Sequence, residues 1–230
     1  MITAKNILVS ISVTCTSLLL TIGMPANAQE KKNEQTNNAE KVKVIQHIAI
    51  SADLIGPIQM AVSDYGQYEA QARFDIKDKF YPVIELGIGK ADATDESTQI
   101  RYKTAAPYGR IGCDWNLLKD KHDIYRLFAG FRYAFTSYKF DVSQPHLVDP
   151  VWGDDVAFGA ENVKANQHWL EAVGGVDVKI WGPIRLGWSL RYKKRIAHQD
   201  GSLGKTWYVP GFGKTSDSQI GGTFNFIIEL

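Results

Sequence analysis

The sequence has little cysteine, no surplus of either charge and, past its first thirty residues, no long uncharged apolar run. Each shortage excludes something. The two cysteines are Cys15 and Cys113. If the first 28 residues are removed, Cys113 stands alone, and one thiol cannot form an intrachain bridge, so this is no disulfide scaffold. Lysine and arginine total 26 against 25 acids. Binding a nucleic-acid backbone needs a basic surplus, so a nucleic-acid partner is excluded. No segment beyond the first thirty residues supplies the ~20 uncharged apolar residues of a helical span. Any membrane crossing must then use strands closed into a barrel. Motifs of common chemistry are missing too: there is no P-loop, dinucleotide fingerprint, His-Glu-x-x-His or paired CxxC. Gly87-Ile88-Gly89 lies in a strand pattern with no following helix, so it is not a phosphate loop. No cofactor, metal site or catalytic residue is expected.

What is present begins with an export signal. Lys5 precedes an apolar stretch, Ile7 to Ile22, and Ala26-Asn27-Ala28 forms a small-x-small site before Gln29. That layout predicts a signal peptide over 1–28 and an outer-membrane destination. The run is short for a transmembrane anchor, and acylation at Cys15 would leave Leu18-Leu19-Leu20 behind. Removing the segment takes away Lys5 and no acid, so the net charge falls from +1 to zero. Residues 29–43 are polar and predict a disordered leader. Residues 44–230 form one domain, with no internal repeat.

That domain alternates with period two. Tyr68, Ala70, Ala72, Phe74 and Ile76 are interleaved with Glu69, Gln71, Arg73, Asp75 and Lys77. Strict alternation marks a strand between two different environments. It recurs from Phe80, Arg110, Tyr125, Leu170, Ile184 and Ile220, with a weaker first strand over roughly Val44 to Ile55. Gly56-Pro57 ends or bends that strand, and Ile58 to Val62 suit a helical turn. Eight strands predict an all-β fold: an eight-stranded, antiparallel, up-and-down transmembrane β-barrel. Connections sort by parity. Lys77-Asp78-Lys79, Lys119 to Asp123 and Gly182-Pro183 are short; Ala61 to Gln67, Lys90 to Ala106, Val142 to Gln167 and Ala197 to Asp217 are longer. Short turns on one rim and long loops on the other characterise outer-membrane barrels.

A soluble lipocalin-like binder would carry its apolar face inside. Tyr81, Tyr108, Tyr125, Tyr138, Trp169, Trp181 and Tyr192 near strand ends suggest an interfacial girdle instead. Glycines recur on the charged face, where long side chains need room. An arginine facing lipid at midplane costs about 2–4 kcal/mol. Several would exceed the ~5–15 kcal/mol that holds a protein folded, so the charged face is inside. Eight strands leave room only for side chains. Arg73, Glu85, Arg110, Asp114, Arg126, Arg132, Glu171, Asp177, Arg185 and Arg191 are therefore expected to pair as a structural plug. Arg126, Arg132, Arg185 and Arg191 should meet Glu85, Asp114, Glu171 or Asp177.

Four stretches carry a resemblance: Phe80-Tyr81-Pro82-Val83-Ile84-Glu85-Leu86-Gly87, Lys103-Thr104-Ala105-Ala106-Pro107-Tyr108, Asp149-Pro150-Val151-Trp152-Gly153 and Trp207-Tyr208-Val209-Pro210-Gly211-Phe212-Gly213. Across nearly the whole mature chain the sequence resembles a family of uncharacterised outer-membrane β-barrel proteins from Bacteroidota. The resemblance implies the barrel and its location and brings no catalytic residues.

The loops hold the remaining candidates. Trp152, Phe158, Trp207, Tyr208 and Phe212 make the outer loops aromatic, which suits packing over the mouth or contact with a glycan, a lipid or a protein. Asp92, Asp95 and Glu96, and Asp149, Asp154 and Asp155, are acidic clusters whose spacing matches no calcium loop. His198, Asp200 and Ser202 have the composition of a Ser-His-acid nucleophile, so a rim lipid-modifying acyl hydrolase or transferase is the enzymatic alternative; a narrow channel is another. The expected partners are outer-membrane lipids and lipopolysaccharide, and the barrel assembly machinery during biogenesis. The protein is expected to be a monomer, with its long outer loops as the working surface.

Overall fold

The computed structural model describes residues 45–230, except 78, 119–123, 149–152, 154 and 205. The expected signal peptide and leader lie outside the described residues. Eight strands close into one antiparallel barrel: β1 (Ile45–Asp53), β2 (Tyr65–Ile76), β3 (Phe80–Thr94), β4 (Arg101–Asn116), β5 (Tyr125–Val148), β6 (Asp155–Trp181), β7 (Ile184–Gln199) and β10 (Ser218–Glu229). Each strand neighbours its successor, and β10 pairs with both β7 and β1 to shut the ring. Helix α1 (Ile55–Val62) joins β1 to β2, and a two-stranded ribbon, β8 (Tyr208–Val209) with β9 (Gly213–Lys214), lies between β7 and β10. No helix among the described residues is long and apolar enough to cross a membrane.

The period-two pattern separates the two walls. Leu86, Ile111, Phe131, Phe135, Trp188, Leu190 and Ile220 point outward, each more than half exposed. Their sequence neighbours Glu85, Arg110, Arg132, Ser189 and Arg191 are buried inside. The expected girdle needs correction. Tyr125, Trp181 and Tyr192 are outward and exposed, whereas Tyr81, Tyr108, Tyr138 and Trp169 are buried in the interior. Those four share the parity of the charged face, and parity outranks closeness to a strand end.

Two expected loops are largely strand. The β3–β4 ladder continues to Thr94↔Arg101, and the β5–β6 ladder reaches Val148↔Asp155. Pairing satisfies each backbone N–H and C=O whether or not the faces differ in polarity. Above the apolar wall the sense inverts, with Ala91, Tyr102, Phe140 and Val163 turned inward and Asp92, Lys103, Lys139 and Lys164 outward, while the ladder goes on. At the junction of β1 and α1, Asp53 takes the place of a helix cap. Its carboxylate accepts from Ile55 N at 3.1 Å and Gly56 N at 2.9 Å, and also from Phe224 N of β10 at 3.1 Å. Gly56-Pro57 therefore opens a helix where the strand ends.

Glycines make room for the ionic interior. Gly112 lies opposite Arg132, and Gly130 opposite Asp114, on adjoining strands. Arg132 and Asp114 grip each other across this space. A Cβ on Gly130 would come within 2.0 Å of Asp114 Oδ1 and 2.6 Å of the Cys113 carbonyl. Gly130→Ala must therefore displace backbone or break the pair. Overpacking of this kind costs about 1–3 kcal/mol, and a lowered midpoint in denaturant titration is the expected result. By contrast Gly174→Ala, with open space around its Cβ, should leave the midpoint within about 0.5 kcal/mol of the parent.

Candidate functional site

The interior holds three layers. At mid-height is an ionic cluster. Glu85 accepts from three arginines: Arg132 Nε at 2.6 Å, Arg191 Nη1 at 2.7 Å and Arg110 Nη1 at 3.1 Å. Arg132 donates both terminal nitrogens to Asp114, at 2.9 and 3.0 Å. Arg110 donates Nε to Glu171 at 2.9 Å and also pairs with Glu69. Arg191 lies 3.1 Å from Glu69 and 3.6 Å from Glu171. Arg73 pairs with Asp177, lies 3.5 Å from Asp114 and stacks over the Phe128 ring at 4.5 Å. Two neutral donors complete the cluster: Trp169 Nε1 to Glu171 at 2.6 Å and Tyr108 OH to Glu69 at 2.8 Å. Removing each ion from water costs several kcal/mol, offset only when its partners and remaining hydrogen bonds are all in place. Arginine suits the role because its flat five-donor fork can serve several carboxylates at once.

At the lower rim Arg126 and Arg185 differ from expectation. Among the described residues neither forms an ion pair with the four acids assigned to it. Both bond Glu229, at 2.9 and 3.2 Å, and Arg126 stacks over Tyr81 at 5.0 Å. They lie near the starts of β5 and β7, with Arg126 opposite Asp177, which pairs with Arg73 instead, and the end of β10 brings Glu229 to both. Sequence reasoning passed over Glu69, Glu229 and Lys193, although all three share the parity of the charged face. Asp75 is buried on that face as well.

The third layer is a plug. The segment from Thr206 to Gly213 folds down into the upper barrel, with Tyr208, Val209 and Phe212 almost fully buried. Its carbonyl oxygens are held from the wall. Arg110 Nη2 and Lys193 Nζ each donate to Gly211 O at 2.8 Å, Lys193 also to Phe212 O at 3.1 Å, and Tyr102 OH to Tyr208 O at 2.8 Å. Phe212 meets Trp169 edge-on at 5.7 Å, and Tyr138 OH bonds Thr206 at 2.8 Å. Gly211 adopts φ +81° with the Tyr108 ring so close that a Cβ would lie 2.5 Å from it. Tyr208 and Phe212, read as loop residues available for contact, are thus interior packing.

Above the plug lies a cavity of about 630 Å³, lined by Tyr102, Phe140, Phe158, Trp207, Leu203 and Ile100 with Asp64, Asp95 and Glu96. Phe158 and Trp207, both partly exposed, are the two aromatic loop candidates that reach it; Trp152 lies outside the described residues. No base is among the described residues lining it. Hydrogen bonds from Ser97 and Thr98 hold the Asp95 carboxyl down at about 2, so it is charged at neutral pH. Asp92, the other acid of that cluster, forks with Arg101 at 2.8 Å. Asp149 and Asp154 lie outside the described residues. His198 Nε2 is 3.3 Å from Asp200 Oδ2, but Ser202 joins neither among the described residues. Likewise, no group of three metal-ligating side chains occurs among them.

An antiparallel eight-stranded ring with an apolar outer wall and an ionic, filled interior defines a small inside-out β-barrel. The chain belongs to the family described as Domain of unknown function (DUF6048), which matches residues 8–230. Solved structures with a likeness to it include these two. One is Ail, the attachment invasion locus protein of Yersinia pestis, in complex with the heparin analogue sucrose octasulfate. It is 9% identical, covering 80% of this chain and 98% of that one, with a TM-score of 0.40. The other is Neisserial surface protein A (NspA), 11% identical, covering 81% of this chain and 94% of that one, with a TM-score of 0.39. No curated protein matches.

Glu85 carries the heaviest demand in the cluster. Glu85→Ala leaves three buried guanidiniums short of a partner and should cost about 3–5 kcal/mol in denaturant titration. Glu229→Ala, at a rim reached by water, should cost less. Equal losses would show that the central cluster contributes no more than a surface pair.

Proposed function

We propose that this protein is an exported, monomeric outer-membrane barrel, closed to flow, that carries a binding surface at its outer mouth. The observation that carries the reading is the inversion of polarity between its walls. A soluble barrel with Leu86, Ile111, Phe131, Trp188, Leu190 and Ile220 bare to water would expose an apolar belt far beyond the few hundred Å² usual for soluble proteins. Surrounded by acyl chains, the same belt is satisfied. The lengths agree: outward apolar side chains run from Tyr125 to Phe135 on β5 and from Leu170 to Ile180 on β6, matching the ~9–11 tilted residues that cross a bilayer. Tyr125, Trp115 and Trp181 at the lower edge, with Tyr68 and Tyr192 at the upper, suit the two interfaces. Outer-membrane lipids and lipopolysaccharide would surround the wall, and the barrel assembly machinery would insert it. The rim bearing the β3–β4 and β5–β6 hairpins would face outward.

The interior supports a structural role over transport. The ionic cluster and the plug fill the lumen in series, and a barrel of eight strands has no spare width. The mouth cavity is then the part free to act. Aromatic walls beneath three carboxylates favour a ligand with a flat or apolar body and no negative charge.

Two measurements test this. Reconstituted into a planar bilayer, the protein should pass no steady current; a stable, ion-selective conductance would make the charges a channel lining. In lipid vesicles, Leu190→Arg should cost about 2–4 kcal/mol, whereas Ile196→Arg, above the apolar wall on the same strand, should cost about 0–1. Equal costs would mean that the wall does not face lipid.

A further inference from the structure

The outward face of β3–β6 changes character over one rung. On the upper rung, signs alternate: Asp92 lies opposite Lys103, and Lys103 opposite Asp141. On the rung below, Lys90 lies opposite Ala105 and Lys139 lies opposite Lys164. Ala105 and Lys139 fall between the pairs Thr104↔Phe140 and Tyr108↔Thr136, so they occupy that same rung. This rung holds three lysines and no acid. Lys90, Lys139 and Lys164 make no ion pair among the described residues.

Like charges directly opposite on neighbouring strands repel. The upper rung shows how this wall avoids that; the lower one does not. Its position gives a reason. Lys139 is four residues above Phe135, ~14 Å along a strand and ~10 Å along the barrel axis at ~45° tilt. That height is the headgroup layer just outside the hydrocarbon. Directly below, His168 lies opposite Phe135, bonds Tyr133 OH through Nδ1 at 2.7 Å and stacks beside both rings. Ser137 opposite Asn166 fills the rung between. Going down the wall there are cations, then small polar groups, then an aromatic shelf: the profile of a phosphate joined to acyl chains.

We propose that Lys139 and Lys164, with Lys90 at the flank, bind the phosphate headgroup of an anionic lipid, whose chains lie against Phe135 and Leu170. A free phosphate would satisfy the charges and leave the shelf unused, so the lipid is the occupant. The proposal rests on the membrane reading above.

The test compares wild type, K139Q/K164Q and K103Q folded into phosphatidylcholine vesicles with and without phosphatidylglycerol, reading the denaturation midpoint and the lipid retained in native mass spectrometry. Phosphatidylglycerol should raise the wild-type midpoint and stay bound. K139Q/K164Q should lose most of that gain, with apparent affinity falling about five-fold per lysine removed, yet should be no less stable than wild type in phosphatidylcholine alone, because the repulsion is gone. K103Q, flanked by two acids, should behave as wild type. An undiminished gain in K139Q/K164Q would overturn the proposal. So would an equal gain from inorganic phosphate in phosphatidylcholine vesicles, which would make the rung a site for the free ion. Failure of the wild type to enter either vesicle would overturn the membrane reading itself, and this site with it.

Discussion

The structure depends on burying charge in a space too narrow for water to serve it. An eight-stranded ring turns every second side chain into its own lumen, and those of this chain are arginines and carboxylates. Such groups are stable there only when each finds partners. Glu85 meets this by taking three guanidiniums, Arg132 by spanning Glu85 and Asp114, and Glu69 and Glu171 by sharing Arg110 and Arg191. Bulky partners need space across the ladder, which Gly112 and Gly130 supply by carrying no side chain. Closure of the sheet, glycine placement and charge pairing are one requirement met three times.

The upper end meets the same requirement differently. Arg110 Nη2 and Lys193 Nζ turn there to main-chain oxygens of the plug. The plug in turn needs aromatic walls: its Phe212 joins Tyr102, Tyr108, Tyr138 and Trp169 in a second, apolar core above the ionic one. The aromatics that seemed suited to a lipid interface are used here. Barrel and plug stabilise each other because the wall's surplus donors and the loop's unpaired carbonyls are matched in number and place.

Much of this was legible in the sequence. Period-two alternation located all eight strands, their number and the faces of Arg73, Arg110, Arg132 and Arg191, because alternation follows directly from a wall with two environments. The partners of those charges were not legible. Arg126 and Arg185 meet Glu229, more than forty residues away in sequence, because the stagger of the ring sets contact across the lumen and leaves no local trace. The upper hairpins were missed where the sense of the alternation inverts, apolar side chains turning inward and charged ones outward. The plug was missed because Trp207 to Phe212 has no period at all: its burial comes from the wall around it. In the mouth cavity, Phe158 and Trp207 could be named from composition, whereas Asp64 could not be placed beside them without the fold.

The plug is held by its carbonyl oxygens: Tyr208, Gly211 and Phe212 each offer C=O to a donor on the wall. A carbonyl is the same in every residue, so this grip does not depend on which side chains the segment carries towards the mouth. Leu203 and Trp207, whose side chains line the mouth, take no part in that grip. The architecture thus separates what must be inherited unchanged from what is free to diverge, and a lineage could alter the recognition chemistry at its surface without rebuilding the scaffold below.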